Sequence, residues 1–112
     1  MVHRNIIQIQ GFVSKSIGVI ANEARKIVSD ICLGIDDVRL LGNKAIVFRA
    51  EITPENLPSL YTGLASIGIK LSTECLPDIK MLEKKIEYPL SIQIVSLSEG
   101  TDRRVNIPSV PG

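Results

Sequence analysis

The chain has no tryptophan, a single histidine and only two phenylalanines and two tyrosines among its 112 residues. So few rings argue against a platform on which successive nucleic-acid bases stack. The lone His3 lies near the start of the sequence, without neighbours to orient it as a general base or to complete a metal-ligand cluster. Cysteine is equally scarce. Cys32 and Cys75 are far apart and fit no close-spaced metal pattern, so they read as two buried free thiols, with no metal and no cofactor expected. Charge of one sign is also missing: 13 basic residues face 12 acidic ones, leaving a net charge of +1 and no overall field to draw in nucleic acid or an anionic membrane. No apolar run approaches the roughly 18 residues that a membrane helix needs. Met1-Val2-His3-Arg4-Asn5 leads into a strand pattern rather than a signal peptide, so the expectation is a soluble cytoplasmic protein. Gly42-Asn43-Lys44 opens a strand, not a helix, and is therefore no phosphate-cradling loop.

What the sequence does have is periodicity. Between Ser14 and Cys32, apolar residues fall at Ile17, Ile20, Ala21, Ala24, Ile27, Val28 and Ile31, the spacing that makes one sticky stripe on a helix. Ser14 or Ser16 can cap its start, and Gly34 is expected to close it in a left-handed conformation with Ile35 folding back. Before this helix, Arg4 to Val13 alternates as a strand, with Ile7, Ile9 and Gly11 on the helix-facing side. Gly11 there suggests a bulge or a close backbone approach.

A hairpin follows from about Asp36 to Ile52. A two-residue turn would set Arg39 opposite Ile46 and put charges on the core face. A three-residue loop, Gly42-Asn43-Lys44, instead pairs Leu40 with Ile46, Val38 with Phe48 and Asp37 with Arg49, and this register is the expected one. Thr53-Pro54-Glu55 has the chemistry of a helix start, but Pro58 would clash inside a helix that began there. The continuous helix should therefore begin near Leu57 after a tight turn, bury Leu57, Leu60, Tyr61, Leu64 and Ile67, and end at Gly68. Ile69 to Cys75 alternates as a fourth strand.

Residues 4–76 thus spell strand, helix, strand, strand, helix, strand. The expectation is one α+β domain over residues 1–112: a ferredoxin-like βαββαβ sandwich, with an antiparallel sheet and both helices on one face. Residues 77–107 form a C-terminal extension. Within it, Pro77 to Tyr88 has helical spacing at Ile79, Leu82 and Ile86, while Leu90 to Leu97 and Arg103 to Ile107 suggest an edge hairpin; residues 108–112 are expected to fray.

Little in this pattern points to catalysis. Asp36-Asp37 and Glu83 with Glu87 read as loop and helix-surface charges. Ser14-Lys15-Ser16 lies at a helix start, where amides can bind an anion, though capping is the commoner use of serine there. The open sheet face is expected to show Ile6, Gln8 and Gln10 from the first strand and Val47, Arg49 and Glu51 from the third, with Arg39 at its rim and Phe48 turned inward. Arg39, Arg49, Arg103 and Arg104 make a basic rim that an RNA-binding reading would use. Ile6, Phe12, Leu41, Ala45 and Val47 give that face an apolar tinge, which means either a partner or cover from the C-terminal segment carrying Val95 and Leu97.

The order of elements resembles the ACT domain, a small βαββαβ regulatory module of amino-acid metabolism. The likeness runs over about residues 4–76. It rests on an apolar strand ending in Gly11, a loop, Gly18-Val19-Ile20-Ala21 opening the first helix, the hairpin with Gly42, and the helix end Leu64-Ala65-Ser66-Ile67-Gly68. Lys15 and Ile17 stand where the family often has an acidic residue and a proline. The resemblance implies a small effector, usually an amino acid, bound at an interface between two modules, with Ser14, Lys15, Ser16, Ile17 and Gly18 lining its pocket. The reading that follows is a non-catalytic regulatory or adaptor module. It acts through protein–protein contact as a homodimer, with a protein partner and a small-molecule effector, and with no membrane or nucleic-acid partner expected. A ferredoxin-like nucleic-acid-binding domain is the alternative, and a small enzyme with its site across a dimer interface is the second alternative.

Overall fold

A computed structural model describes residues 6–72 and 85–97. Its architecture is α+β: a five-stranded mixed sheet with two helices, compatible with a ferredoxin-like fold. The first strand, β1 (Ile7–Val13), buries Ile7, Ile9 and Val13 and exposes Gln8. Helix α1 (Ile17–Ile31) follows, burying Ile17, Ile20, Ala24 and Val28, while Ala21, Ile27 and Ile31 pack partly buried against the same core. The stripe is therefore the one its spacing predicts. Its ends differ from expectation. Ser16 occupies the N-cap position but its side chain makes no capping bond, and the helix stops at an extended Cys32 whose amide reaches the Val28 carbonyl. Gly34 is not left-handed; it begins the next strand instead.

Strands β2 (Gly34–Leu41) and β3 (Ala45–Ile52) form the predicted hairpin. Leu40 opposes Ile46, Val38 opposes Phe48 and Asp37 opposes Arg49, and the loop is Gly42-Asn43-Lys44 with Gly42 at φ 62°. That positive φ is open to glycine without a Cβ penalty. A bulge interrupts the ladder between Ile35 and Asp37, giving β2 one extra residue, Asp36. After β3, a 3-10 turn over Pro54–Asn56 takes up Pro54, and α2 (Leu57–Ser66) starts beyond it with Pro58 in its first turn, where a missing amide costs no helical bond. Asn56 Nδ2 donates to Thr53 Oγ1 at 3.1 Å across that turn. The second helix buries Leu57, Leu60 and Leu64 and ends at Ser66, and the turn that stops it carries Gly68 at φ 91°. Gly63 sits against Ile27 of α1, where an added Cβ would come within 2.8 Å of Ile27 Cγ2. β4 (Lys70–Leu71) is short, and the Ser72 amide donates to the Gln10 carbonyl at 2.7 Å. Residues 73–75 of the expected fourth strand, residues 77–84 of the expected helix after Pro77 and the hairpin arm after Leu97 fall outside the described residues. The end of that expected helix is described and is not helical: residues 85–87 form a turn, and Tyr88, with no charge on the segment that follows, already opens an extended strand.

The main departure is β5 (Tyr88–Ser96). The sequence pattern suggested an edge hairpin in an antiparallel four-stranded sheet. The strand lies instead in the middle, in the order β2-β3-β5-β1-β4, parallel to β1 and antiparallel to β3. Val95 is therefore a residue of the sheet itself and not part of a cover, and Leu97 is exposed. The physical reason is composition. Tyr88–Ser96 holds no charged residue, and Leu90, Ile92 and Ile94 are at most 2% exposed, whereas β2 carries Asp36, Asp37 and Arg39. An uncharged strand whose inner face is mainly aliphatic loses least when it is flanked on both sides, and a charged strand is suited to an edge.

Gly11 marks the tightest approach in the sheet. A Cβ there would lie 2.7 Å from Ile69 Cγ2 and 3.3 Å from the Lys70 carbonyl oxygen. Gly11→Ala should lower unfolding stability by about 1–3 kcal/mol through overpacking, measured by chemical denaturation. An unchanged midpoint would show that the β1–β4 contact has slack.

Candidate interaction surface

Pleating sends alternate side chains of each strand away from the helices, and the register fixes which ones share a row on the open face. Leu41, Ala45, Val95, Phe12 and Lys70 form one row. Arg39, Val47, Gln93 and Gln10 form the next, and Asp37, Arg49, Ser91 and Gln8 the one after. Glu51 opposes Pro89 beyond these. The face therefore has two halves. The β1/β5 half is neutral, made of amides, a hydroxyl and carbon, and among the described residues every charge apart from Lys70 at the β4 edge comes from β2 and β3.

A groove of about 440 Å³ runs across the boundary between these halves. Ile6 and Gln8 wall it on the β1 side, Asp36, Arg39 and Leu41 on the β2 side, and Val47, Arg49, Pro89 and Ser91 line its floor. A smaller hollow of about 210 Å³ lies beside Gln8, Gln10, Ser91 and Gln93. Of the seven partner-surface candidates, Ile6, Gln8, Arg39, Val47 and Arg49 line the larger groove, Gln10 lines the smaller hollow, and Glu51 lies in the row beyond. Sequence reasoning missed Pro89, Ser91 and Gln93, because it assigned their strand to the margin. Arg39 Nε lies 3.4 Å from Asp37 Oδ2, with both side chains well exposed. Such a pair is worth little in isolation. The sequence pattern suggested loop charges at Asp36 and Asp37, but both belong to the edge strand β2. One ring, Phe12, does stand on this face, half-buried beside Val95; Phe48 is fully buried on the other side. Arg103 and Arg104 lie outside the described residues.

The loop Ser14-Lys15-Ser16 and the helix start at Ile17 and Gly18 sit at one end of the sheet. Ile17 is buried in the core, while Ser14, Lys15 and Gly18 are exposed and Ser16 is half-buried. β5 ties this loop down. Ser96 Oγ donates to the Lys15 carbonyl at 2.8 Å, the Leu97 amide donates to the Val13 carbonyl at 2.8 Å, and the Ser96 amide donates to the Lys44 carbonyl at 2.8 Å. One strand end thus holds both the β1–α1 loop and the β2–β3 turn.

Two titratable groups sit away from this face. Cys32 is a free, buried thiol that burial pushes up to about 11, so it stays protonated and poorly nucleophilic at neutral pH. The Tyr61 hydroxyl is buried with no hydrogen-bond partner among the described residues, and burial raises it above its ordinary range. Among the described residues no cluster of three or more histidines, cysteines or carboxylates could hold a metal, and no helix is long and apolar enough to cross a membrane. No family model matches the chain, and no curated protein and no solved structure shows significant similarity to it.

The raised thiol has two consequences. In the folded state at pH 8, only about one Cys32 in a thousand is ionised, so alkylation mapped to Cys32 should await unfolding. The unfolded chain gives up this proton at lower pH than the folded one, so the contribution of Cys32 to stability should fall as pH climbs from 9.0 towards about 11. Rapid labelling of Cys32 under native conditions would contradict both.

Proposed function

We propose that this chain is a non-catalytic regulatory or adaptor module that works through protein–protein contact on its open sheet face. It does so as a homodimer, with a small effector such as an amino acid held between copies. The carrying observation is the groove itself. Apolar side chains of Ile6, Leu41 and Val47 lie among Gln8, Ser91, Arg39 and Arg49, and Ile6 and Leu41 are each 48% exposed. Exposed apolar side chains interspersed with polar ones are the composition of a protein contact surface. The groove has polar groups of both signs, which suits a partner surface better than a polyanion. The ACT resemblance supports the effector, and the pinned Ser14-Lys15-Ser16 loop supports its location, since a loop held in one conformation loses less entropy on binding.

Two measurements test this reading. Ile6→Asp replaces exposed apolar surface on the groove wall by a carboxylate without touching the core. Any protein captured specifically by the wild-type chain is expected to bind the variant at least about tenfold more weakly. Equal binding by both would exclude the open face as the docking surface. Thermal shifts against the common amino acids should stabilise the chain by roughly 2.7 kcal/mol at 100 times the dissociation constant, and a flat response to all of them removes the effector.

A further inference from the structure

Strand β2 ends the sheet, and its outer backbone edge carries no strand among the described residues. Eight residues long, it presents a row of amides and carbonyls that can template pairing with another chain. Two observations specify what fits there. Leu40 is 61% exposed although it points to the helix side of the sheet, opposite Ile46. Asp37 and Arg39 flank Val38 with opposite charges on the open face.

We propose that β2 pairs antiparallel with β2 of a second copy about a two-fold axis at Val38, joining the two sheets into one. This gives the homodimer of the proposed function a defined surface and register. In this register each Asp37 opposes the other copy's Arg39, twice by symmetry, as an isologous contact requires. The bulge at Asp36 then does the remaining alignment. Because β2 spends two residues, Asp36 and Asp37, over one step of its neighbour, Ile35 comes level with Leu40 of the second copy. Ile35, Val38 and Leu40 all lie on the helix side, so they meet as an apolar row across the axis, and Leu40 gains the cover it lacks. Neighbouring registers are worse. An axis at Arg39 sets arginine against arginine, an axis at Asp37 sets aspartate against aspartate, and a one-residue slip puts the charges opposite aliphatic side chains on the wrong face. Since Arg39 and Leu41 also wall the groove, the pairing brings the two grooves alongside each other.

Sedimentation velocity on the full chain over a range of concentrations tests this with charge reversals. The wild type should show concentration-dependent dimerisation. Arg39→Asp and Asp37→Arg should each weaken it roughly ten- to hundredfold, because each places like charges opposite twice. An equimolar mixture of the two variants should restore the dimer, as should Asp37→Arg combined with Arg39→Asp in one chain. A wild-type chain that stays monomeric throughout would overturn the proposal, and would mean that the charges and bulge shield the edge instead. A dimer that neither reversal weakens would overturn it as well. Ile6→Asp separates the two surfaces: it should leave this dimer intact while impairing partner capture, so either surface can fail without the other.

Discussion

The structure depends on one strand being held from both sides. Tyr88–Ser96 is hydrogen-bonded to β1 along its length in parallel and to β3 along its length in antiparallel sense. Its inner residues complete the rows that the helices cover: Phe48, Ile92 and Ile9 in one, Ala50, Leu90 and Ile7 in another. All of these are at most 3% exposed. Without β5 the facing edges of β1 and β3 would be left open, and the stripes of α1 and α2 would lie over a gap. The last segment of the described fold is therefore its middle, and the helices cannot pack fully until it has returned.

The same placement shapes the open face. Because the central strands are uncharged, the middle of that face is a neutral field of amides, a hydroxyl and aliphatic carbon, and charge is confined to the β2/β3 side with one lysine at the far edge. A groove forms where the two meet. Polarity and exposed carbon within one concavity are what a protein contact surface combines. The β5 end adds a second effect. Through Ser96 and Leu97 it ties the β1–α1 loop and the hairpin turn to one strand end.

Local features of this chain were legible in its sequence, and long-range ones were not. The α1 stripe, the Gly42-Asn43-Lys44 loop with its register, the tight turn ahead of Leu57 and the stop at Gly68 all follow from rules that act within a few residues: periodicity, parity and the constraints on proline and glycine. The close approach at Gly11 was likewise visible as a glycine inside a strand. Gly34 misled because a glycine after a helix can also simply open an extended segment. The place of β5 was missed because which strands become neighbours is decided by burial of the whole sheet rather than by any local pattern. A signal was nonetheless present: nine residues without a charge, alternating with large aliphatics, describe a strand flanked on both sides. Reading the face residues from the expected order still found Ile6, Gln8, Arg39, Val47 and Arg49, because strand parity survives insertion of a neighbour. Pro89, Ser91 and Gln93 could not be found that way.

Native-state hydrogen exchange on the β5 amides tests the central claim most directly. If the strand is held from both sides, the amides of Ile92 and Ile94 should exchange only through global unfolding, with protection equal to that of the slowest amides of β1 and β3. Exchange of these amides through a low-energy local opening, while β1 and β3 remain protected, would mean that the sheet closes without its middle strand and would contradict the account.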